Sequence, residues 1–228
     1  MNPVKIDPVW LMHIQKPARY IGGEWNSVVK DHDSVDVKVA LAFPDVYEVA
    51  MSHLGLKIIY SVLNARNDTL AERVYAPWVD MEALMREKHI PLYTLESKCP
   101  VKDFDVLGFT MPFEMCYTNI LNMLDLAGIP LLAKDRGEDD PIVVSGGPCV
   151  YNAEPVADFF DVFFIGESEE AIGEMADIVK LWQLLEFGSF GLGFRQGIIP
   201  QVVQELHYSG RILSHRIVQY EVGIAVEA

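Results

Sequence analysis

The sequence predicts a doubly wound, mainly parallel α/β sheet of five strands, and three observations predict it. Short runs at 38–43 (KVALAF), 106–110 (VLGFT), 142–145 (IVVS) and 162–165 (VFFI) are almost continuously apolar. That is the composition of strands covered on both faces, not of strands with one wet face. Segments with helical apolar spacing separate these runs, so strand and helix alternate along the chain. Glycine or proline closes each run: Pro44, Pro112, Gly146-Gly147-Pro148 and Gly166. Glycine there lets the backbone turn sharply or approach a ligand, and ligands of open α/β sheets lie outside the carboxyl ends of the strands.

The elements follow in order. Residues 1–37 read as a leader, with a short helix over 8–15 ended by Pro17 and a turn at Gly22-Gly23. Within it, PARYIGGEWNSV reads as a strap that packs Tyr20 and Trp25 on the core. The first strand is 38–43. A loop follows (DVYEVAMSH), and Ser52 marks the start of a helix with Leu54, Leu56, Ile58, Ile59, Val62 and Leu63 on its apolar side. Residues 73–76 are a second strand candidate, Met81, Leu84 and Met85 indicate a helix to Lys88, and 92–95 is a further extended stretch. The 106–110 strand leads to a helix faced by Cys116, Ile120, Met123, Leu124 and Ala127 and stopped by Gly128 and Pro130. After 142–145 and 162–165 comes a last helix, which Ser168 can cap and which buries Ile172, Met175, Ile178, Val179 and Trp182. The four apolar runs are expected at the centre of the sheet.

Composition bounds the function. The 228 residues carry a net charge of −15 and show no basic patch, which speaks against nucleic acid as a partner. No run reaches the roughly 20 apolar residues of a membrane span, and the start lacks the apolar core of a signal peptide, so the expected location is the cytoplasm. Cys99, Cys116 and Cys149 are widely spaced and should not converge on an iron–sulfur cluster. All 10 Lys and all 16 Asp precede residue 181. That break sets the expected organisation: a leader (1–37), an α/β domain (38–183), and a marginally stable tail (184–228).

Chemistry is sparse. His53 stands at a strand-to-helix mouth, where it caps or packs against the helix or else serves a ligand, with the capping role favoured. Glu167 and Ser168 follow the last strand and suit a polar ligand group, though capping alone accounts for Ser168. Gly146-Gly147 leaves room for a flat cofactor or a nucleotide tail, though a turn needs only one of the two. Cys116 reads as core, and Cys149 as a small buried hydrophobe. No G-x-G-x-x-G, P-loop, nucleophile elbow or metal spacing occurs, and no catalytic residue is assigned.

Five segments together carry a resemblance: PARYIGGE (17–24), FPDVYEVAMSHLGLKIIY (43–60), GFTMPFEMCYTNIL (108–121), VVSGGP (143–148) and DVFFIGESEEAI (161–172). Over about residues 10–183 the chain resembles the N-terminal region of radical SAM proteins in which a cobalamin-binding-like domain precedes the radical SAM barrel. The resemblance implies a flavodoxin-like (Rossmann-like) sheet whose carboxyl edge faces a cofactor and that barrel. The cofactor-binding candidates it implies are Ser52, His53, Gly55, Thr110, Gly146, Gly147, Gly166 and Glu167. Three features depart from the family. The cluster motif C-x-x-x-C-x-x-C is absent, so S-adenosylmethionine and a [4Fe-4S] cluster are implied for the full-length family and not for this chain. The cobalt-ligating D-x-H-x-x-G pattern is broken around Met51, His53 and Gly55, so any cobalamin is expected without histidine on cobalt. The tail beyond Trp182 does not look like the family's run into its barrel, as a truncated or frame-shifted reading frame would produce. Two readings follow: the non-catalytic cofactor- or partner-binding half of a radical SAM enzyme, or a free-standing α/β interaction module.

Overall fold

The computed structural model describes residues 1–166 and 168–186. Its sheet has five strands: β1 (Val37–Phe43), β2 (Thr69–Tyr75), β3 (Val106–Thr110), β4 (Ile142–Gly146) and β5 (Val162–Phe163). All pair in parallel, in the order β2-β1-β3-β4-β5. The helices are α1 (Pro8–Leu11), α2 (Tyr47–Ala50), α3 (Leu54–Ala65), α4 (Val79–Lys88), α5 (Tyr117–Leu126) and α6 (Ser168–Glu186).

Alternate strand residues feed opposite faces of the sheet. On one face Val39, Leu41, Val106, Val144, Val162 and Phe164 meet Leu56, Tyr60 and Leu63 of α3 and Ile172, Met175 and Val179 of α6. On the other, Ala40, Ala42, Leu107, Phe109, Val143 and Phe163 meet Met81 and Met85 of α4 and Ile120, Met123 and Leu124 of α5. The parallel, doubly wound architecture expected from the continuous apolar runs is therefore the one present.

Several expectations are corrected. The 162–165 run is not central. It supplies a two-residue edge strand, because the chain leaves the sheet after Phe164 to form the mouth of α6. The opposite edge, β2, starts at Thr69 rather than 73, and all seven of its residues are buried, Glu72 and Arg73 included. Residues 92–95 contribute only an isolated antiparallel bridge between Tyr93 and Pro100. The first helix is four residues long, not eight. The helix placed at Ser52 begins at Leu54, with His53 as its cap. Tyr20 is buried, but Trp25 is 97% exposed and packs on none of the described residues. The residues beyond 186, including most of the 184–228 tail, lie outside the described residues.

Side chains finish the β2 edge. Asn64 accepts from the Ala71 N–H at 3.1 Å and donates to the Ala71 carbonyl at 2.9 Å. Glu96 accepts from the Arg73 N–H at 2.8 Å, and the Leu95 N–H donates to the Arg73 carbonyl. Lys30 donates to the carbonyls of Asn64, Arg66 and Thr69 at 2.6–3.0 Å, tying the chain before β1 to the end of α3 and the start of β2. Glu72, buried on β2, accepts from the hydroxyls of Thr94 and Ser97 and the Ser97 N–H, and His32 Nε2 lies 3.0 Å from it. Every partner of this charged stretch comes from a distant segment, which is how a strand reading TLAERVY can be buried throughout.

Candidate functional site

At the carboxyl edge, between the first turns of α3 and α6, lies a groove with a volume of about 200 Å³. Its floor is one register row across three strands, Leu41–Gly108–Val144. A Cβ at Gly108 would sit at ordinary contact distance, 3.5 Å from Val144 Cγ2 and 3.6 Å from Leu41 Cδ2. The backbone does not demand glycine here. Its missing side chain leaves a notch between two branched neighbours, as glycine inside a strand does where something approaches closely. Leu56 and Ile59 of α3 and Ile172 of α6 form the apolar walls, while Thr110, Ser168 and Glu169 add polar groups.

His53, Gly55, Thr110, Gly146, Gly147 and Gly166 all line this groove. Ser52 does not. It is exposed, and its hydroxyl donates to the Val49 carbonyl at 3.3 Å. Glu167 lies outside the described residues. Sequence reasoning passed over Gly108, Leu41 and Val144, although a glycine within the apolar run VLGFT was the available signal.

His53 is held as a cap. Its Nδ1 accepts from the Leu56 N–H at 3.1 Å, which leaves the proton of the neutral ring on Nε2. The ring packs on Phe43 with centroids 5.0 Å apart. Gly55 makes this possible, since a Cβ there would lie 3.1 Å from His53 Cε1. Burial pushes the imidazole pKa below its ordinary 6.5. The neutral ring is thus the folded form, and below pH 6.5 the unfolded chain binds more protons. The contribution to stability is present above that pH and is lost as pH falls toward the lower, folded value. Protonation also removes the acceptor and sets a positive charge on a helix N-terminus. Urea unfolding from pH 7 to 5 should therefore show a loss that is absent in His53→Asn, where an untitratable side chain caps instead. His53→Ala should lose about 0.5–2 kcal/mol at pH 7.

Residues 55–188, more than half of the chain, match the family described as radical SAM proteins, N-terminal. The chain belongs to that family. An uncharacterized protein of Methanocaldococcus jannaschii is 28% identical over 134 residues, which cover 58% of this chain and 24% of that protein. The chain thus spans about a quarter of the length of that curated relative. No solved structure matches it.

Around the groove, this radical SAM N-terminal domain presents apolar side chains to solvent from four successive strand mouths. They are Met51 and Leu54 after β1, Trp78 and Val79 after β2, Phe113 and Met115 after β3, and Tyr151 after β4. Met115 is 86% exposed. Glu48 and Glu114 stand exposed among them. Among the described residues, no group of three or more His, Cys, Asp or Glu converges to hold a metal, and no helix is long and apolar enough to cross a membrane.

Proposed function

We propose that this chain is the cofactor- and partner-binding module of a radical SAM enzyme, with no catalytic group of its own. In this reading its groove takes the flat end of a cobalamin, and its carboxyl edge faces the catalytic barrel. The notch in the row Leu41–Gly108–Val144 carries the reading. It opens onto the carboxyl edge, at the reversal of strand order where such folds bind cofactors. A volume of about 200 Å³ falls below the roughly 300–1,000 Å³ of pockets that enclose a whole drug-sized ligand, so one planar ring system enters and the rest lies outside. Leu56, Ile59 and Ile172 exclude water from that ring, and Thr110 and Ser168 offer hydroxyls at its border.

The residues fit the planar end and do not supply an imidazole to cobalt. His53 uses Nδ1 for the cap and carries its proton on Nε2, so ligation would forfeit the helix start. Cobalamin, when bound, supplies radical chemistry of its own. S-adenosylmethionine and the [4Fe-4S] cluster belong to the full-length proteins of the family. The exposed apolar ring around the groove is what a buried interface with the barrel needs.

Titration with hydroxocobalamin, followed by absorbance, tests the groove. Gly108→Leu should fill the notch and weaken binding by at least about tenfold, roughly 1.4 kcal/mol, with little change in unfolding midpoint. His53→Ala should bind as the wild type does, and the cob(II)alamin form should show no nitrogen hyperfine splitting. Binding indifferent to Gly108→Leu, or a splitting that disappears in His53→Ala, would overturn the proposal. A free-standing module would share the groove but gain no affinity for a radical SAM barrel.

A further inference from the structure

The leader carries a feature that neither the groove nor the strand mouths explain. Between Glu24 and Ser27 the chain makes a tight turn, closed by the Ser27 N–H to the Glu24 carbonyl at 3.1 Å and the Ser27 hydroxyl to the same oxygen at 2.8 Å. Trp25 stands on that turn, 97% exposed. The turn is fastened on both sides. Before it, Gly22 presses on the Leu95 carbonyl so closely that a Cβ would fall 2.1 Å from the oxygen, and its φ of +65° suits glycine. Glu24 pairs with Arg73 and accepts from the Tyr47 hydroxyl. After it, the Val28 N–H donates to the Tyr60 hydroxyl at 2.7 Å, and Lys30 is held by three carbonyls.

A large aromatic side chain on a loop this well anchored has already lost the backbone freedom that binding would otherwise cost. Tryptophan is also the residue most enriched among those that dominate interface affinity. Its anchors place the turn beside the carboxyl edge. Tyr47 opens α2, the Tyr47 and Tyr75 rings meet at 5.6 Å, and Arg19 of the same strap lies 5.6 Å over the Trp78 ring and binds Glu48. Ile21, Val49 and Val79 are exposed, and the residues beside them are joined by the bonds of Tyr20 to Trp78 and Arg19 to Glu48, so apolar residues of the strap and of two strand mouths stand near one another.

We infer that Trp25 is the outlying anchor of the surface that receives the catalytic region of the longer family members, filling an apolar pocket on that region. This rests on the barrel-facing reading above. Three observations favour that occupant. The aligned relative has about three quarters of its length outside the matched segment. Exposed apolar residues stand both at the strand mouths and on the strap, at Val49, Val79 and Ile21. Glu114, exposed between Phe113 and Met115 on a chain of net charge −15, suits a pocket rimmed by Lys and Arg.

Hydroxyl-radical footprinting read by mass spectrometry tests it on two samples: the 228-residue chain alone, and the chain continued by a radical SAM barrel. Trp25 should oxidise readily in the first and be protected several-fold in the second, together with Met51 and Met115. With the barrel supplied as a separate polypeptide, Trp25→Ala should weaken association by about 30-fold or more. Its unfolding midpoint should stay at the wild-type value, because the ring is 97% exposed and packs on none of the described residues. Protection of Met51 and Met115 without Trp25 would overturn this inference and leave the barrel-facing reading standing. Protection of none of the three would overturn both. Protection of Trp25 in the concentrated chain alone would assign the surface to a second copy and overturn the occupant argued here.

Discussion

Arg136→Ala is expected to cost the domain about 3–5 kcal/mol, the penalty of leaving a buried charge without its partner. The side chains of Arg136 and Asp161 are both 0% exposed, with Nη1 3.0 Å from Oδ2. The guanidinium also donates to the carbonyls of Pro130 at 3.0 Å, Leu131 at 2.8 Å and Phe159 at 2.6 Å. Asp161 in turn accepts from the Val143 N–H of β4 at 2.9 Å. One side chain thus joins the loop after α5 to the segment before β5 and, through Asp161, to β4. Truncation leaves the buried Asp161 carboxylate with the Val143 N–H but no countercharge, and takes the guanidinium donor from three carbonyls. Asp161→Asn should cost less, since the amide oxygen can still accept from Val143. Urea midpoints at constant m-value measure both. A loss below about 1 kcal/mol for Arg136→Ala would mean that water enters and replaces the guanidinium, so that the pair does not organise this edge.

Gly147→Ala should be nearly as damaging, at about 2–4 kcal/mol, while Gly146→Ala next to it should be mild. Gly147 has φ +107° and ψ −179°, a region essentially reserved for glycine. A Cβ there would meet the Met111 backbone, 3.0 Å from its oxygen and 3.2 Å from its nitrogen. The Met111 peptide cannot retreat cheaply, because its N–H donates to the Gly146 carbonyl at 2.8 Å and its carbonyl accepts from the Cys149 N–H at 3.2 Å. At Gly146 a Cβ would come only within 3.4 Å of the Ser168 hydroxyl, a movable neighbour at the groove mouth. Thermal unfolding separates the two. Gly147 serves the backbone and Gly146 leaves space, so a cofactor titration should respond to Gly146→Ala more than its midpoint does.

The legible parts of this fold were those set by near neighbours in sequence. β1, β3 and β4 announce themselves by apolarity, and α5 by spacing and its stop at Gly128. β2 was only half legible, because Glu72 and Arg73 interrupt the run and their partners, His32, Thr94, Ser97, Glu24 and Glu96, lie far away in sequence. The run at 162–165 looked central because a strand covered on both faces reads the same wherever it stands in the order. Trp25 looked like core because hydrophobicity carries no sign of direction, and the fasteners that turn it outward are glycine geometry and the half-buried Glu24–Arg73 pair. The groove was legible through its glycine-bearing loops. Gly108 was not, since its meaning appears only when register sets it between Leu41 and Val144.

The finished edge of β2 has a consequence for how a longer polypeptide is made. An unpaired parallel margin is a template on which a neighbouring chain can add a strand, and a domain waiting for its remaining partner is at risk while synthesis continues. Here the Asn64 amide imitates a peptide group toward Ala71, and Glu96 with the Leu95 backbone does the same toward Arg73. The margin is sealed by side chains from within the domain itself. A nascent chain can thus complete this unit first, with no free strand margin on that side for a neighbouring chain to extend.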